Sequence, residues 1–231
     1  MYEALKEEAW KANMEIPRLN LAIHTWGNVS AFDPDNRVFA IKPSGVPYEK
    51  LNADSMVVVD LEGKVVDGSL NPSSDTETHR VLYRDFPGIT GITHTHSPYA
   101  SGWAQARKPV PVYGTTHADN GAETIPCTLI MDTEAVKNNY ETETGNLIVN
   151  TFHRQNIDPA NMPMVLVSGH GPFTWGKSAM QSVTQAAILE EICKMALFTI
   201  IVDPKTPPLP EHLIRKHWER KHGPNAYYGQ K

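Results

Sequence analysis

Apolar residues recur with helical spacing near the start of the chain and again in its last third. Residues 3 to about 14 form a predicted amphipathic helix, in which the apolar positions among charged neighbours are Leu5, Ala9 and Ala12. We expect Pro17 to end this helix, because proline has no backbone N–H to donate. Residues 179–201 form a longer predicted helix, which is apolar enough to be buried.

Short runs rich in β-branched residues predict strands between these two helices. Residues 38–42, 56–60 and 64–66 have this character, and Leu-Glu-Gly separates the last two, which suits a hairpin. Residues 91–96 and 164–168 are further β-rich segments, and each runs into a polar or glycine-containing turn. The hairpin predicts that the sheet begins with antiparallel strands.

Capping and breaker residues indicate the remaining elements. Ser74-Asp75-Thr76-Glu77 has the form of a capping box, which places Asp75 at the beginning of a helix. Residues 203–210 contain four prolines and predict an extended connector, followed by a basic helix over residues 211–221. No repeat or low-complexity segment is visible in the sequence. We therefore predict one domain, residues 1–231, with a C-terminal tail from residue 203.

Composition and charge exclude several classes of partner. The 231 residues are 40% hydrophobic and 20% charged, which is typical of a soluble globular protein with one core. A net charge of -5 argues against a nucleic-acid partner. No apolar run reaches the roughly 18 residues of a membrane-spanning helix, and the acidic N-terminus has no secretory signal. We expect no membrane association and a cytoplasmic location.

Histidines at strand-like spacing provide the strongest chemical signal. His94 and His96 lie two residues apart, so on a strand both imidazoles would project from one face and could bind one ion. His170 follows the apolar run Val165-Leu166-Val167 and could be a third ligand, and Asp75 could add a carboxylate. These ligands suit Zn²⁺ or another divalent ion, and the scarcity of cysteine favours a catalytic site over a closed structural one. The alternative is that such histidines are ordinary surface or core residues.

Three glycine- and serine-rich segments could bind phosphate. They are Trp26-Gly27-Asn28-Val29-Ser30, Lys42-Pro43-Ser44-Gly45 and Pro72-Ser73-Ser74. Hydroxyls and backbone N–H groups in turns and at helix starts bind phosphate, and Lys42 adds a positive charge. Taken singly, each segment could equally be an ordinary turn, since Ser and Gly favour turns for conformational reasons alone.

Seven motifs distributed along the chain have a recognisable form. They are Thr-Trp-Gly-Asn-Val-Ser (25–30), Lys-Pro-Ser-Gly-Val (42–46), Pro-Ser-Ser-Asp-Thr (72–76), His-Thr-His-Ser (94–97), Thr-Thr-His-Ala-Asp (115–119), Gly-His-Gly-Pro-Phe (169–173) and Lys-His-Gly-Pro-Asn-Ala-Tyr-Tyr-Gly-Gln (221–230). Together these motifs resemble the L-ribulose-5-phosphate 4-epimerases of the class II aldolase and epimerase family, and the resemblance covers essentially the whole chain. It implies an α/β fold, in which a single domain has a central, mainly antiparallel β-sheet with helices on both sides. It also implies assembly as a homotetramer.

The resemblance also implies a role for each matching residue. The zinc ligands fall on His94, His96 and His170, with Asp75 as the acidic group of the motif. Asp119 and Tyr228 match the proton-transfer pair, and Tyr228 is expected to reach the active site of a neighbouring subunit. After Asp119 the chain reads Asn-Gly-Ala, where the family usually has bulky aromatic residues. The phosphate-binding residues are Gly27, Asn28, Lys42, Ser44, Gly45, Ser73 and Ser74.

The implied reaction is inversion of a ketopentose phosphate at C4 by retro-aldol cleavage of C3–C4, through a metal-stabilised enediolate. Two alternatives remain open. The first is a sugar-phosphate aldolase of the L-fuculose-1-phosphate type, although Ser-Ser-Asp at 73–75 differs from the Ser-Ser-Glu of that aldolase. The second is a non-catalytic sugar-phosphate-binding protein, which would not need Asp119 and Tyr228.

Overall fold

Seven strands in the described part of the chain build one sheet. The computed structural model describes residues 2–224, 226, 227 and 229. The strands are β1 (Asn28–Asp33), β2 (Val38–Ile41), β3 (Val57–Asp60), β4 (Val65–Asp67), β5 (Gly91–His94), β6 (Met164–Leu166) and β7 (Pro172–Gly176). Their spatial order is β4-β3-β2-β1-β5-β7-β6, and every neighbouring pair is antiparallel. The predicted antiparallel sheet and the hairpin of β3 and β4 are confirmed.

Helices cover both faces of this sheet. They are α1 (Glu3–Arg18), α2 (Thr76–Asp85), α3 (Pro98–Ala106), α4 (Thr115–Ala118), α5 (Thr133–Gln155), α6 (Ala179–Val202) and α7 (Glu211–His222). Val29 and Ala31 of β1 pack in one apolar cluster with α1 and the first half of α6. Ser30, between them, points to the opposite face and contacts α2. Strand alternation thus directs one face of β1 toward each helical layer, as the predicted fold class requires.

Several local predictions differ from the structure. Helix α1 continues through Pro17 to Arg18, because a proline in the last turn removes one hydrogen bond while Leu19 and Leu21 still donate to carbonyls of that turn. Residues 28–30, predicted as part of a loop, begin β1. The capping box is also wrong, since α2 has no side-chain hydrogen bond at its N-cap.

Membrane insertion through a helix finds no support among the described residues. None of the helices there combines the length and apolar character that crossing a membrane requires. The long helix α6 is apolar, but its first half packs against the sheet and α1.

Candidate active site

The ends of three adjacent strands hold His94 in place. Asn28 of β1 pairs with His94 of β5, which in turn pairs with Phe173 of β7. The imidazole of His94 is buried and stacks on the Phe173 ring, with 4.2 Å between ring centroids. Sheet register and aromatic packing therefore fix this imidazole before any ligand binds.

The other two histidines come from turns. Strand β5 ends at His94, so His96 lies just beyond the strand and not on it as predicted, while His170 lies in the turn between β6 and β7. One ligand atom from each of the three rings lies within 4.8 Å of the others. The predicted grouping of these three side chains is therefore present in the structure.

Two glycines allow loops to approach the backbone around His94. A Cβ on Gly27 would lie 2.9 Å from the carbonyl oxygen of His94, and a Cβ on Gly171 would lie 2.8 Å from that of Thr95. Either side chain would have to displace backbone atoms. Glycine at position 171 thus permits the β6–β7 turn to bring His170 against the end of β5.

The imidazoles are neutral, as metal ligands must be. Burial lowers the pKa of His94, His96 and His170, that of His170 to about 4. The Nδ1 atom of His94 lies 2.9 Å from the carbonyl oxygen of Pro172. A carbonyl can only accept, so Nδ1 carries the proton and Nε2 of His94 is left with a free lone pair.

Asp75 supplies a carboxylate next to this lone pair. It occupies the N-cap of α2, as predicted, but its side chain makes no capping bond. Its Oδ2 instead accepts a hydrogen bond from Asn28 Nδ2 at 2.6 Å and lies 4.0 Å from His94 Nε2. Burial would raise the pKa of Asp75, but the neighbouring imidazoles and the Asn28 hydrogen bond outweigh it, so the pKa lies below its ordinary value. Three neutral imidazoles and an ionised carboxylate fit Zn²⁺ or a similar divalent ion.

Two neighbouring loops carry the predicted phosphate-binding residues. Ser44 N–H donates to the Asn71 carbonyl, and Ser73 N–H donates to the Lys42 carbonyl, so the loops run side by side. The ammonium group of Lys42 is buried and donates to the Thr25 carbonyl at 3.2 Å. Burial lowers the pKa of Lys42 to about 8. No acidic side chain within the described ranges forms an ion pair with it, so its charge is available to an anion.

All eleven predicted metal- and phosphate-binding residues line one cavity of about 550 Å³. Two further lining residues, Tyr140 and Glu141, were not predicted. They follow a break in α5 at Asn139, whose side chain accepts a hydrogen bond from Thr142 N–H. The Asn138-Asn139 pair, with its low helix propensity, was the available signal. The lining is completed by Thr25, Trp26 and Pro43.

Asp119 lies elsewhere in the same chain. It follows α4 and is absent from the described lining of the cavity. Its carboxylate accepts hydrogen bonds from His217 Nδ1 at 3.0 Å and Arg220 Nε at 2.9 Å, both on α7. Burial would raise the pKa of Asp119, but these hydrogen bonds outweigh it and the pKa lies below its ordinary value. Tyr228, predicted as its partner in proton transfer, falls outside the described residues.

Comparison with known proteins decides the family. A family model described as the class II aldolase and adducin N-terminal domain matches residues 7–197. The chain belongs to this class II aldolase family. Of the family's solved structures, an L-fuculose 1-phosphate aldolase has a TM-score of 0.78 at 22% identity and covers 94% of this chain and 95% of its own. That likeness supports the class II aldolase fold alone.

Relatives within the class II aldolase family are more similar in sequence. The L-ribulose-5-phosphate 4-epimerase UlaF of Salmonella paratyphi C is 48% identical over 229 residues, which is 99% of this chain and 100% of the relative. The protein of the same name from Salmonella typhi is 47% identical over 229 residues, with the same coverage. The resemblance noted from the motifs is confirmed over nearly the full chain.

Proposed function

We propose that this protein is an L-ribulose-5-phosphate 4-epimerase, interconverting L-ribulose 5-phosphate and D-xylulose 5-phosphate. The observation that carries the proposal is the full-length similarity to relatives named for this reaction. The cavity supports it, because its wall carries both three imidazoles with a carboxylate and Lys42 with turn hydroxyls. These groups match the carbonyl end and the phosphate end of a ketose phosphate.

The phosphate end is bound by charge and by hydrogen bonds. Lys42 provides a buried cation, and Ser44, Ser73 and Ser74 provide hydroxyls at the cavity wall. Charge-assisted hydrogen bonds to phosphate are roughly twice as strong as neutral ones. Asn28 and the backbone of Gly27 and Gly45 complete the predicted set.

The carbonyl end is assigned to the metal centre. His94, His96 and His170 would hold a divalent ion, with Asp75 as the nearby carboxylate. When bound, Zn²⁺ or another divalent ion would polarise the C2 carbonyl and stabilise the enediolate that cleavage of C3–C4 produces. The side chains are positioned for this in advance, because Phe173 and Pro172 fix the ring of His94.

Inversion at C4 requires two proton-transfer groups. The C4 hydrogen is not acidic, so a retro-aldol route begins when the C4 hydroxyl loses its proton and C3–C4 breaks. The glycolaldehyde phosphate fragment then rotates to present the other face of its aldehyde to the enediolate. Recombination at this face produces a C4 alkoxide that must gain a proton. We assign these two steps to Asp119 and Tyr228, one for each face of the aldehyde.

A neighbouring subunit is needed to complete each site. Asp119 is held against α7, and Tyr228 follows α7 in the sequence. Because Asp119 does not line the described wall of its own cavity, we propose that Asp119 and Tyr228 both serve the cavity of a neighbour in a homotetramer. The end of α6 supports an interface, since Phe198, Ile201 and Val202 are 50%, 65% and 85% exposed.

Product identification tests the proposed reaction. Purified protein loaded with Zn²⁺ would be incubated with L-ribulose 5-phosphate and followed by ¹³C NMR. The expected product is D-xylulose 5-phosphate. Accumulation of free dihydroxyacetone and glycolaldehyde phosphate would indicate an aldolase instead, and recovery of unchanged substrate would contradict both activities.

A further inference from the structure

A chain of three buried side chains lies behind the candidate metal centre. Ser30 Oγ is 2.7 Å from His79 Nδ1 and 2.6 Å from the hydroxyl of Tyr83. All three residues are buried, and none belongs to the described lining of the cavity. His79 lies one helical turn after Asp75 on α2, and its ring centroid is 6.1 Å from that of Phe173. These three hydrogen-bonded side chains therefore lie on the interior side of the metal centre.

The donors and acceptors of this chain fix the position of each proton. If His79 donated from Nδ1 to Ser30, Ser30 would donate to Tyr83. The Tyr83 proton would then have no acceptor among the described residues. The opposite order satisfies both hydroxyls, because Tyr83 donates to Ser30 and Ser30 donates to Nδ1 of His79, and it leaves only the Nε2–H of His79 without a partner. Burial lowers the pKa of His79 to about 3 against the opposing effect of Asp75, so the ring is neutral and its proton lies on Nε2.

The proton on Nε2 of His79 has no acceptor among the described residues. In the described part of the molecule, His79 Nε2 and Asn28 Oδ1 are both buried and have no hydrogen-bond partner. Asn28 already donates to Asp75, and the carboxylate of Asp75 is close enough for its charge to act on His79. A buried polar group left unpaired is unfavourable, so a partner for Nε2–H is strongly favoured.

We propose that His79 is a positioning residue for the metal centre. Its Nε2–H, fixed in place by the hydrogen bonds of Ser30 and Tyr83, orients the Asp75 carboxylate toward the three histidines through one bound water. The inference rests on the metal centre of the proposed function. Hydrogen-bond partners behind metal ligands set ligand orientation, and losing one typically costs 10- to 100-fold in metal affinity.

Two substitutions of His79 separate its two nitrogens. In His79→Gln the amide nitrogen reaches the position of Nε2 and can still donate toward Asp75. In His79→Asn the shorter amide ends near the position of Nδ1, so it keeps Ser30 as a partner but loses the donor. We expect the Kd for Zn²⁺ to rise about 10-fold or more in His79→Asn and to stay near the parent value in His79→Gln. Competition with a chromogenic chelator measures both values.

A matched pair of serines controls for general loss of stability. Ser30 and Ser182 are both fully buried, and each lies 2.6 Å from another hydroxyl, that of Tyr83 or Thr93. Ser182 lies on α6, against the opposite face of the sheet. Both Ser30→Ala and Ser182→Ala should lower the Tm of the apo-protein, by similar amounts. Only Ser30→Ala should weaken Zn²⁺ binding, and Ser182→Ala should leave the Zn²⁺ affinity unchanged.

The outcomes separate this inference from the proposed function. If parent protein and His79→Asn bind Zn²⁺ equally, His79 does not position the centre. Equal losses of affinity in Ser30→Ala and Ser182→Ala, or in His79→Gln and His79→Asn, would likewise overturn the inference in favour of general destabilisation. A parent protein that binds no divalent ion would instead refute the metal centre itself.

Discussion

His96 is the most accessible of the three candidate ligands. His94 is buried and stacked on Phe173, so replacing it would disturb the core as well as the metal site. His96 lies beyond the end of β5, and its ring is only partly covered by Trp26, 6.2 Å away. Substitution of His96 should therefore affect metal binding with less effect on folding than substitution of His94 or His170.

His96→Ala should lose both metal and turnover. Removing one imidazole from a three-histidine site removes most of its affinity, while the exposed position should keep Tm of the apo-protein close to that of the parent. Metal content after dialysis and epimerase rate are the measurements. His153→Ala, an exposed histidine of α5, is the control and should retain both. Full metal content in His96→Ala would contradict the ligand assignment.

Lys42 should make phosphate recognition dependent on pH. Its pKa is lowered to about 8, so the free enzyme loses this positive charge as the pH rises through that value. We expect KM for L-ribulose 5-phosphate to be lowest below pH 8 and to rise above it, since only the charged form attracts the phosphate. In Lys42→Met, KM should be high at every pH. A parent KM that stays constant from pH 7 to 9 would contradict this role.

Residue types marked most of the cavity wall as candidate metal and phosphate sites, and the resemblance to the family gave each residue its role. Closely spaced histidines indicate a metal site, and serines beside a lysine indicate a phosphate site, whichever elements carry them. Glu141 could not be found in this way, because its place depends on the break at Asn139 and on a hydrogen bond from Thr78 of α2 to its carbonyl. That contact joins two elements distant in sequence, and no local pattern encodes it.

At the level of elements, the turn between β6 and β7 controls the geometry of the centre. Gly171→Ala would place a Cβ 2.8 Å from the Thr95 carbonyl, so the turn must move and carry His170 away from His94. We expect the free energy of unfolding to fall by about 1–3 kcal/mol. The metal affinity should fall by a larger fraction of its parent value than the free energy of unfolding does. Urea unfolding and a metal titration would measure the two effects.

Gly102→Ala is the matched control for this substitution. Gly102 lies inside α3, and a Cβ there would meet no atom within 4 Å. Alanine should therefore stabilise the protein by about 0.5–1 kcal/mol and leave metal affinity unchanged. Unaltered metal binding in Gly171→Ala would show that the close approach of the turn does not set the ligand geometry.

Elements were predictable where their signals are local. The helices α1, α6 and α7 follow from apolar spacing and breaker residues, and their cores were placed correctly. The capping box failed because α2 has Asp75 and not Ser74 as its N-cap, and because the Glu77 carboxylate accepts a hydrogen bond from Arg80 Nε instead. Strand β7, Pro172–Gly176, was not predicted, since its short sequence becomes a strand by pairing with β5 and β6.

For the whole molecule, mixing inactive chains should restore activity. His96→Ala chains lack the metal site, and Tyr228→Phe chains lack the phenol that we assign to a neighbouring cavity. A mixed assembly contains interfaces where an intact metal site meets an intact Tyr228. Random exchange in a cyclic tetramer would make about a quarter of all sites complete. Activity of the mixture, relative to each variant alone, is the measurement.

A second mixture tests whether Asp119 and Tyr228 reach the same cavity. Asp119→Asn and Tyr228→Phe chains should not rescue each other, because every neighbour would then lack one member of the pair. Rescue in this mixture would instead assign the two residues to different subunits. Absence of rescue in both mixtures, with subunit exchange verified by native mass spectrometry, would exclude a shared site.

The strand order of the sheet was the part of the fold least accessible from the sequence. Strands β6 and β7 lie beyond β5, although α3, α4 and α5 separate them from β5 along the chain. The resemblance to the family implied an antiparallel sheet, but residue patterns alone gave no reason to place this pair at that edge. Long-range pairing of this kind is determined by the whole core, including Trp175 and Phe152, whose rings pack together.

The long connection between β5 and β6 has a consequence for folding rates. His94 and His170 belong to segments that meet only when this distant edge of the sheet has closed, and such non-local contacts form late. A divalent ion held between them would stabilise the native state without stabilising the transition state. It should therefore slow unfolding and leave the refolding rate unchanged, as stopped-flow experiments with and without Zn²⁺ would measure. Metal bound across this edge would therefore give kinetic stability and lengthen the lifetime of the folded enzyme.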